Sequence, residues 1–468
     1  MPAEGVPARE NIFRGEPVAV VLPTWLGDIV MSEPALRRLA AAPGTGPIVA
    51  FAPPPLVAIA RTIPAISRVV GVAGKGMTGP FRTAAAIRRE SCGSVLLLPN
   101  SPRAALAARL SGRGIRAGYA TGGRGGLLSH AISPPASGGP RPTSLDYDEL
   151  VSRLLAGEDR AAAESVTPAS DRANTNEPNL TYDANEAYDA DDAYDANDPT
   201  DAVAGGTGTS AAADPFDTPA GPRPRLALPP AAATAAAVID CGGRPHAVLV
   251  PGGVRAAKRW SPERFGAIAR WMADECGLTP LVTGSPAEAP LCAAVVDAAD
   301  GRAVDLAARG TGLDALIGLI GGARIVVSND TGPRHLAIGL GVPCVSLFGP
   351  TDPRWTRFAD AGERVLSAEP FLPPNLIADD HAAFCHIDRI PVRDVQYAVE
   401  RLLAESHGPV HAGASDPASG HAPERNAERQ PELAPELAPE LAPELAPERS
   451  PSPAPPTSTT PPAPETTP

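Results

Sequence analysis

The chain has 468 residues, with 40 Lys/Arg against 53 Asp/Glu and a formal net charge of −13, enough length for two or three domains. The acidity is local: residues 1–157 carry 17 Lys/Arg and 9 Asp/Glu (net +8), 158–222 carry 2 and 15 (net −13), 223–407 carry 18 and 20 (net −2), and 408–468 carry 3 and 9 (net −6). No uncharged apolar run reaches the roughly 18 residues of a membrane span, the N-terminus lacks the apolar core of a signal peptide, and the six cysteines form no Cys-x-x-Cys pair. Reduced, mostly buried thiols and a cytoplasmic location are therefore expected, rather than disulfides or a zinc knuckle.

In chain order, residues 17–22 predict an apolar strand and 28–42 a helix with Leu36 and Leu39 turned inward. Asp28 falls where the strand ends and the helix begins. There it can cap the helix or act as a general base toward an alcohol in a cleft. A second strand is predicted over 94–98 and a helix over 103–110. Gly122-Gly123-Arg124-Gly125-Gly126 does not follow the first strand, which argues against a nicotinamide dinucleotide site.

From Glu158 to Pro222 the sequence is acidic, poor in aliphatic residues and repetitive, as in Tyr182-Asp183-Ala184-Asn185 and Tyr188-Asp189-Ala190-Asp191. Too little apolar surface is available there to offset chain entropy, so a disordered linker is expected. The Asp-x-Asp pattern within Asp189-Ala190-Asp191-Asp192 is read as a coincidence of the repeat.

The second unit predicts strands over 247–250, 280–282, 325–327 and 344–347, alternating with helices over 262–275, 287–299 and 332–340. A last helix is predicted over 392–404. The second unit opens with Pro251-Gly252-Gly253 and, soon after, Lys258-Arg259-Trp260. The glycines permit close backbone approach to a ligand, and Lys258 and Arg255 can neutralise phosphates, although the spacing is not that of a Walker motif. The stretch Ser328-Asn329-Asp330-Thr331-Gly332-Pro333-Arg334-His335 turns a strand into a helix. Asp330 or Thr331 can cap it, and amides from Thr331 to Arg334 can face a diphosphate. An ordinary strand-to-helix turn remains the alternative, as does a purely structural role for His335. From Gly408 the chain repeats Pro-Glu-Leu-Ala and ends Pro-rich, predicting an extended tail.

Strand and helix alternation with short apolar strands predicts an α/β fold of two Rossmann-like domains facing a cleft, at 15–157 and 223–407, with a disordered linker over 158–222 and a disordered tail over 408–468. Four blocks carry a resemblance over about 15–157 and 225–405. They are Trp25-Leu26-Gly27-Asp28 with Pro34-Ala35-Leu36; Leu98-Pro99-Asn100-Ser101 with Arg103 and Gly118-Tyr119; Pro251-Gly252 with Lys258-Arg259-Trp260-Ser261-Pro262; and Asn329-Asp330-Thr331-Gly332-Pro333-Arg334-His335 with Phe348-Gly349-Pro350-Thr351-Asp352-Pro353. These blocks resemble glycosyltransferase family 9, the ADP-heptose:lipopolysaccharide heptosyltransferases, and above all its heptosyltransferase II type.

The resemblance implies a GT-B fold and an inverting transfer of heptose from ADP-heptose to an inner-core sugar of a lipid A precursor, with neither metal nor cofactor. It makes Asp28 the base. Gly252, Lys258, Thr331 and Gly332 become donor-binding residues, with Asp330 on the sugar hydroxyls and His335 in support. The basic first unit suits an anionic acceptor, with Arg103 and Arg124 the leading contacts and Arg109, Arg113 and Arg116 further candidates. Peripheral contact with the inner membrane surface is implied, and no nucleic acid. Cysteines common in the family's C-terminal region are absent from 369–374, leaving His381, Cys385 and His386. Two alternatives stay open: a GT-B transferase for another nucleotide sugar or acceptor, and a non-catalytic nucleotide-sugar-binding protein.

Overall fold

The structure is a computed structural model that describes residues 11–74, 76–136, 140–158, 219–239, 244–368 and 386–405. Residues 159–218, most of the anticipated linker, and the anticipated tail from 408 lie outside them, as do His381 and Cys385.

The first sheet is assembled from short apolar runs: β1 (Val18–Val21), β2 (Ile48–Ala52), β3 (Ile66–Gly71), β4 (Ser94–Leu97), β5 (Ile115–Tyr119) and β6 (His130–Ile132). Their order is β3-β2-β1-β4-β5-β6, and every neighbouring pair is parallel. Side chains alternate across the sheet. Ala19, Val49, Val95 and Leu97 meet Ile87 of α4 (Gly79–Arg89) and Ala105 and Ala108 of α5 (Pro102–Leu110). Val18, Val20, Ala50 and Leu96 belong to the opposite face, covered by α1 (Leu26–Met31), α2 (Glu33–Ala41), α3 (Val57–Ala60) and α6 (Thr143–Leu155). Burial on both faces is why the central strands read as unbroken apolar runs.

The second sheet repeats the plan with β7 (His246–Val250), β8 (Thr279–Val282), β9 (Val304–Asp305), β10 (Ile325–Asn329), β11 (Cys344–Phe348) and β12 (Glu363–Ser367). The order is β12-β11-β10-β7-β8-β9, again all parallel. One face carries α8 (Pro262–Asp274), α9 (Ala289–Ala298) and α12 (Val392–Glu405) around Trp260, Phe265 and Met272. The other carries α7 (Pro230–Ala236), α10 (Leu313–Gly321) and α11 (Gly332–Leu340). The expected pair of Rossmann-like sheets is present.

The helix expected over 28–42 is two helices. Pro34 has no N–H to give to the preceding turn, so α1 stops at Met31 and α2 restarts at Glu33, with the Ser32 hydroxyl donating to the Ile29 carbonyl at 2.7 Å.

One apolar cluster is shared between the sheets: Ile29 and Val30 of α1 lie in it with Leu336, Ala337 and Ile338 of α11. The segment that enters the second sheet reinforces this junction. The Arg225 amide donates to the buried Glu33 carboxylate at 2.8 Å, Leu226 to Gly339 O at 2.9 Å, and Ala227 to Thr62 O at 2.8 Å. Because β1 and β10 each pass directly into a helix, the fold delivers two helix N-termini to one place.

Candidate active site

Trp25, extended at φ −107° and ψ 143°, is the N-cap of α1, and Asp28 lies in that helix's first turn. Asp28 is thus not the cap, and no side chain caps the helix. Its carboxyl is half-buried, and among the described residues no hydrogen bond or ion pair reaches it. Burial raises its pKa from 3.8 to about 6. A group with that value is a far stronger base than an exposed aspartate and is still ionised at neutral pH. Tyr147 of α6 lies within reach of its field, since burial first and then the Asp28 charge push the phenol upward.

At the end of β10, Thr331 is the N-cap of α11, extended at φ −143° and ψ 172°. Its hydroxyl turns back, to Asn329 O at 3.3 Å and Ser328 Oγ at 3.2 Å, and makes no cap. Nor does Asp330 cap the helix, contrary to expectation. The opening turn of α11 therefore has no side-chain acceptor, which leaves its positive end for an anion. Lys258, closing a short 3₁₀ turn over Ala256–Lys258, places Nζ 3.9 Å from Asp330 Oδ2. The other Asp330 oxygen is 3.4 Å from Arg334 Nη1. Cation, carboxylate and helix end thus converge at the opening of α11.

The two helix ends interlock through their glycines. A Cβ on Gly27 would stand 3.1 Å from His335 Nδ1, and one on Gly332 would stand 3.0 Å from Leu26 Cβ. The turn carrying Asp28 is therefore pressed against the turn carrying Thr331 and Gly332. His335 is buried, with Nδ1 3.0 Å from the Thr331 carbonyl. A carbonyl only accepts, so Nδ1 bears the hydrogen and Nε2 the lone pair, directed at Arg334 Nη1 3.4 Å away. Burial and the Arg334 charge lower its pKa to about 4, so the ring is neutral.

The loop after β7 corrects one expectation. The space opened by Gly252 is filled by Glu288, whose Oε1 stands where a Cβ would reach and accepts the Gly253 amide at 2.8 Å. Gly252 admits this carboxylate; its bare Cα does not face the cleft.

The arginines divide by position. Arg103, at the start of α5 and exposed, donates to Gly74 O at 3.2 Å and also to Gly76 O. Arg124 is buried, against expectation. It donates to Tyr119 O at 2.8 Å, Asn100 Oδ1 at 3.0 Å, Ser101 O at 3.4 Å and Pro99 O, and burial lowers its pKa to about 10. It is a strut between loops rather than an acceptor contact. Arg113 and Arg116 bond backbone carbonyls at the amino end of β5, and Arg109 ends α5. In a parallel sheet that edge lies opposite the end occupied by Asp28, so these three leave the candidate site.

Sequence reasoning missed the supports. Arg334 is wholly buried, with Nε 2.6 Å from Glu363 Oε1 and the guanidinium carbon 4.9 Å from the Phe348 ring centre. Asn329 was part of a quoted motif but had no assigned role. Its position as the last residue of a strand that feeds the site was the available signal.

Two parallel six-stranded sheets, each sending a helix from a strand's carboxyl end into one site, make up a GT-B architecture. Residues 192–371 match the model of glycosyltransferase family 9 (heptosyltransferase). It is 32% identical over 114 residues to a lipopolysaccharide heptosyltransferase 1 of Pseudomonas aeruginosa, covering 24% of this chain and 31% of the relative. It is 30% identical over 120 residues to a lipooligosaccharide heptosyltransferase 2 of Haemophilus influenzae, covering 25% and 34%. The matched stretches thus span about a third of each relative. Among solved structures, E. coli ADP-heptose LPS heptosyltransferase II superposes with a TM-score of 0.61 at 20% identity, over 84% of this chain and all of that one (100%). A family 9 glycosyltransferase of Veillonella parvula gives 0.60 at 17%, over 84% and 98%. E. coli heptosyltransferase WaaC with ADP-2-deoxy-2-fluoro heptose gives 0.52 at 16%, over 82% and 99%. These structural likenesses establish the shared fold.

Proposed function

We propose that the chain transfers heptose from ADP-heptose to an inner-core sugar of a lipopolysaccharide precursor, with inversion and without a metal. The observation that carries this reading is the interlock of the two helix ends. It presses the turn that carries the half-buried Asp28, whose carboxyl no hydrogen bond or ion pair reaches among the described residues, against the opening of α11, where Lys258 pairs with Asp330. A base and an anion cradle on opposite sides of one junction suit attack by an alcohol on a glycosyl diphosphate.

In that mechanism Asp28 accepts the proton of the acceptor hydroxyl as its oxygen bonds to the anomeric carbon. The bond from that carbon to the diphosphate oxygen breaks on the opposite face, and its electron pair leaves with ADP. Attack opposite the leaving group inverts the centre. Charge growing on ADP is met by Lys258 and by the opening amides of α11, at Thr331 and Gly332, which are in place before the reaction starts. Asp330 accepts hydrogen bonds from the sugar hydroxyls while its ion pair holds Lys258 in position. His335 supports the junction as a neutral ring. Arg103, exposed at the carboxyl edge of the first sheet, contacts the acceptor. A lipid-linked acceptor brings the protein to the inner membrane surface from the cytoplasm; among the described residues no helix is long and apolar enough to cross a membrane.

The test is incubation of purified protein with a panel of nucleotide sugars and an inner-core lipid A precursor, with products read by mass and anomeric configuration by NMR. Transfer from ADP-heptose with inversion is expected. Asp28→Ala should bind ADP as the wild type does and transfer nothing. Preference for a uridine or guanosine donor would overturn the donor assignment, comparable transfer by Asp28→Ala would remove the base, and ADP binding with no transfer to any acceptor would favour a binding protein.

A further inference from the structure

Asn329 is the last residue of β10 and is fully buried. Its side chain crosses to the loop that carries Lys258: Nδ2 donates to Pro251 O at 2.8 Å and Gly252 O at 3.2 Å, and Oδ1 lies 3.4 Å from the Trp260 amide. Its own carbonyl receives the Ser328 and Thr331 hydroxyls at 2.6 and 3.3 Å. One residue therefore ties both halves of the anion cradle together, the Lys258 loop and the opening of α11.

The direction of these bonds matters. A carbonyl oxygen turned toward a diphosphate repels it, whereas an amide or ammonium group attracts it. Asn329 occupies two successive carbonyls of the loop, and Arg259 Nε takes the next, Gly253 O, at 2.8 Å. With three consecutive carbonyls held by protein donors, the loop keeps its negative ends away from the ligand. On the other side Glu288 holds the Gly253 amide at 2.8 Å, so the loop is clamped at both edges.

We infer that Asn329 is a positioning residue for the donor diphosphate: it turns the carbonyls of Pro251 and Gly252 away from the anion and fixes Lys258 against Asp330. The assignment rests on the donor reading above and gives it a residue that touches no substrate. Asparagine is required because both of its Nδ2 hydrogens are used. Aspartate of nearly the same shape has none when ionised and one when protonated.

The experiment measures ADP affinity by calorimetry for wild type, Asn329→Asp, Asn329→Ser and Lys258→Ala, and for Asn329→Ser in the Lys258→Ala background, between pH 5 and 8. Asn329→Asp and Asn329→Ser should each weaken ADP binding about 10- to 100-fold at pH 8, the scale of one or two lost buried hydrogen bonds. Relative to wild type, Asn329→Asp should regain affinity as the pH falls and its carboxyl protonates, while Asn329→Ser should show no recovery. The Asn329→Ser effect should shrink severalfold once Lys258 is gone. A general loss of folding predicts none of these patterns, and Asn329→Asp at pH 5 supplies a folded comparison if the serine variant is unstable. Wild type binding ADP with the variants binding equally well, or an Asn329→Asp defect independent of pH, would overturn the assignment alone. Wild-type protein that binds no ADP would overturn the donor reading and this assignment with it.

Discussion

Replacing Asp28 with Asn separates chemistry from stability. The folded state raises the Asp28 pKa from 3.8 to about 6, so the fold favours the protonated acid and ionisation within it is costly. The sign follows from proton uptake. Between about pH 4 and 6 the folded protein binds a proton that the unfolded chain has released, so stability falls as the pH rises through this window and the loss is complete above it. Each pKa unit is worth about 1.4 kcal/mol, which sets an upper bound of about 3 kcal/mol; partial exposure reduces this to roughly 1–3 kcal/mol. Asn cannot ionise, so Asp28→Asn should match wild type below pH 4 and exceed it by that amount above pH 6.5.

For a folded part of this size the gain corresponds to a rise of roughly 1–5 °C in Tm. Urea unfolding at half-unit steps from pH 4 to 8 measures it, and the same variant should have lost transfer activity. In wild type the transfer rate should climb as the pH rises through about 6, because only the carboxylate accepts a proton. An Asp28→Asn variant less stable than wild type at pH 8, or differing from it by a constant amount at every pH, would refute the claim that burial holds this carboxyl out of water.

Gly27→Ala or Gly332→Ala inserts a methyl 3.1 Å from His335 Nδ1 or 3.0 Å from Leu26 Cβ; each should cost about 1–3 kcal/mol and reduce transfer by spreading the two helix ends, measured by denaturation and initial rates. Arg334→Ala leaves Glu363 buried without its partner and should cost about 3–5 kcal/mol in chemical denaturation; a loss under about 1 kcal/mol would show that the cluster relaxes freely. Arg124→Ala strips donors from the Tyr119 and Pro99 carbonyls and should cost about 2 kcal/mol or more. Arg103→Ala, by contrast, should change stability by less than about 1 kcal/mol and raise the acceptor KM; the reverse pattern would exchange their roles.

Much of the site was legible because a parallel sheet gathers the carboxyl ends of its strands. Asp28, Lys258 and Asp330 each follow an apolar strand, and their sequence position alone put them on one edge. Whether an arginine points outward was not legible: Arg124 lies in a glycine-rich loop that looks solvated, yet four of its hydrogen bonds run inward. Glu363 had no signal, since its pairing with Arg334 depends on β12 adding beside β11. Gly27 was equally opaque, because the His335 ring that presses on it belongs to the other sheet. Among the strands, β2 was a missed five-residue apolar run between prolines. His130–Ile132 in β6 is too short to show any alternation, and β12 carries Glu363 and Arg364, which mask an edge strand as a polar turn.

In the proposed mechanism, the contact between Gly27 and His335 lets one junction keep a base strong beside an anion site. Cations that hold a diphosphate lower the pKa of any carboxylate they approach, and Asp28 would lose basicity if it shared them. Lys258 instead pairs with Asp330 at 3.9 Å, and Arg334 is committed chiefly to Glu363. The group pressed against the Asp28 turn is His335, neutral because it is buried and because the Arg334 charge stands beside its Nε2. A neutral ring excludes water without supplying a counter-charge. Removing water is what raises the Asp28 pKa, so the imidazole's neutrality, set by the donor-side sheet, sustains the basicity of a carboxylate carried by the other.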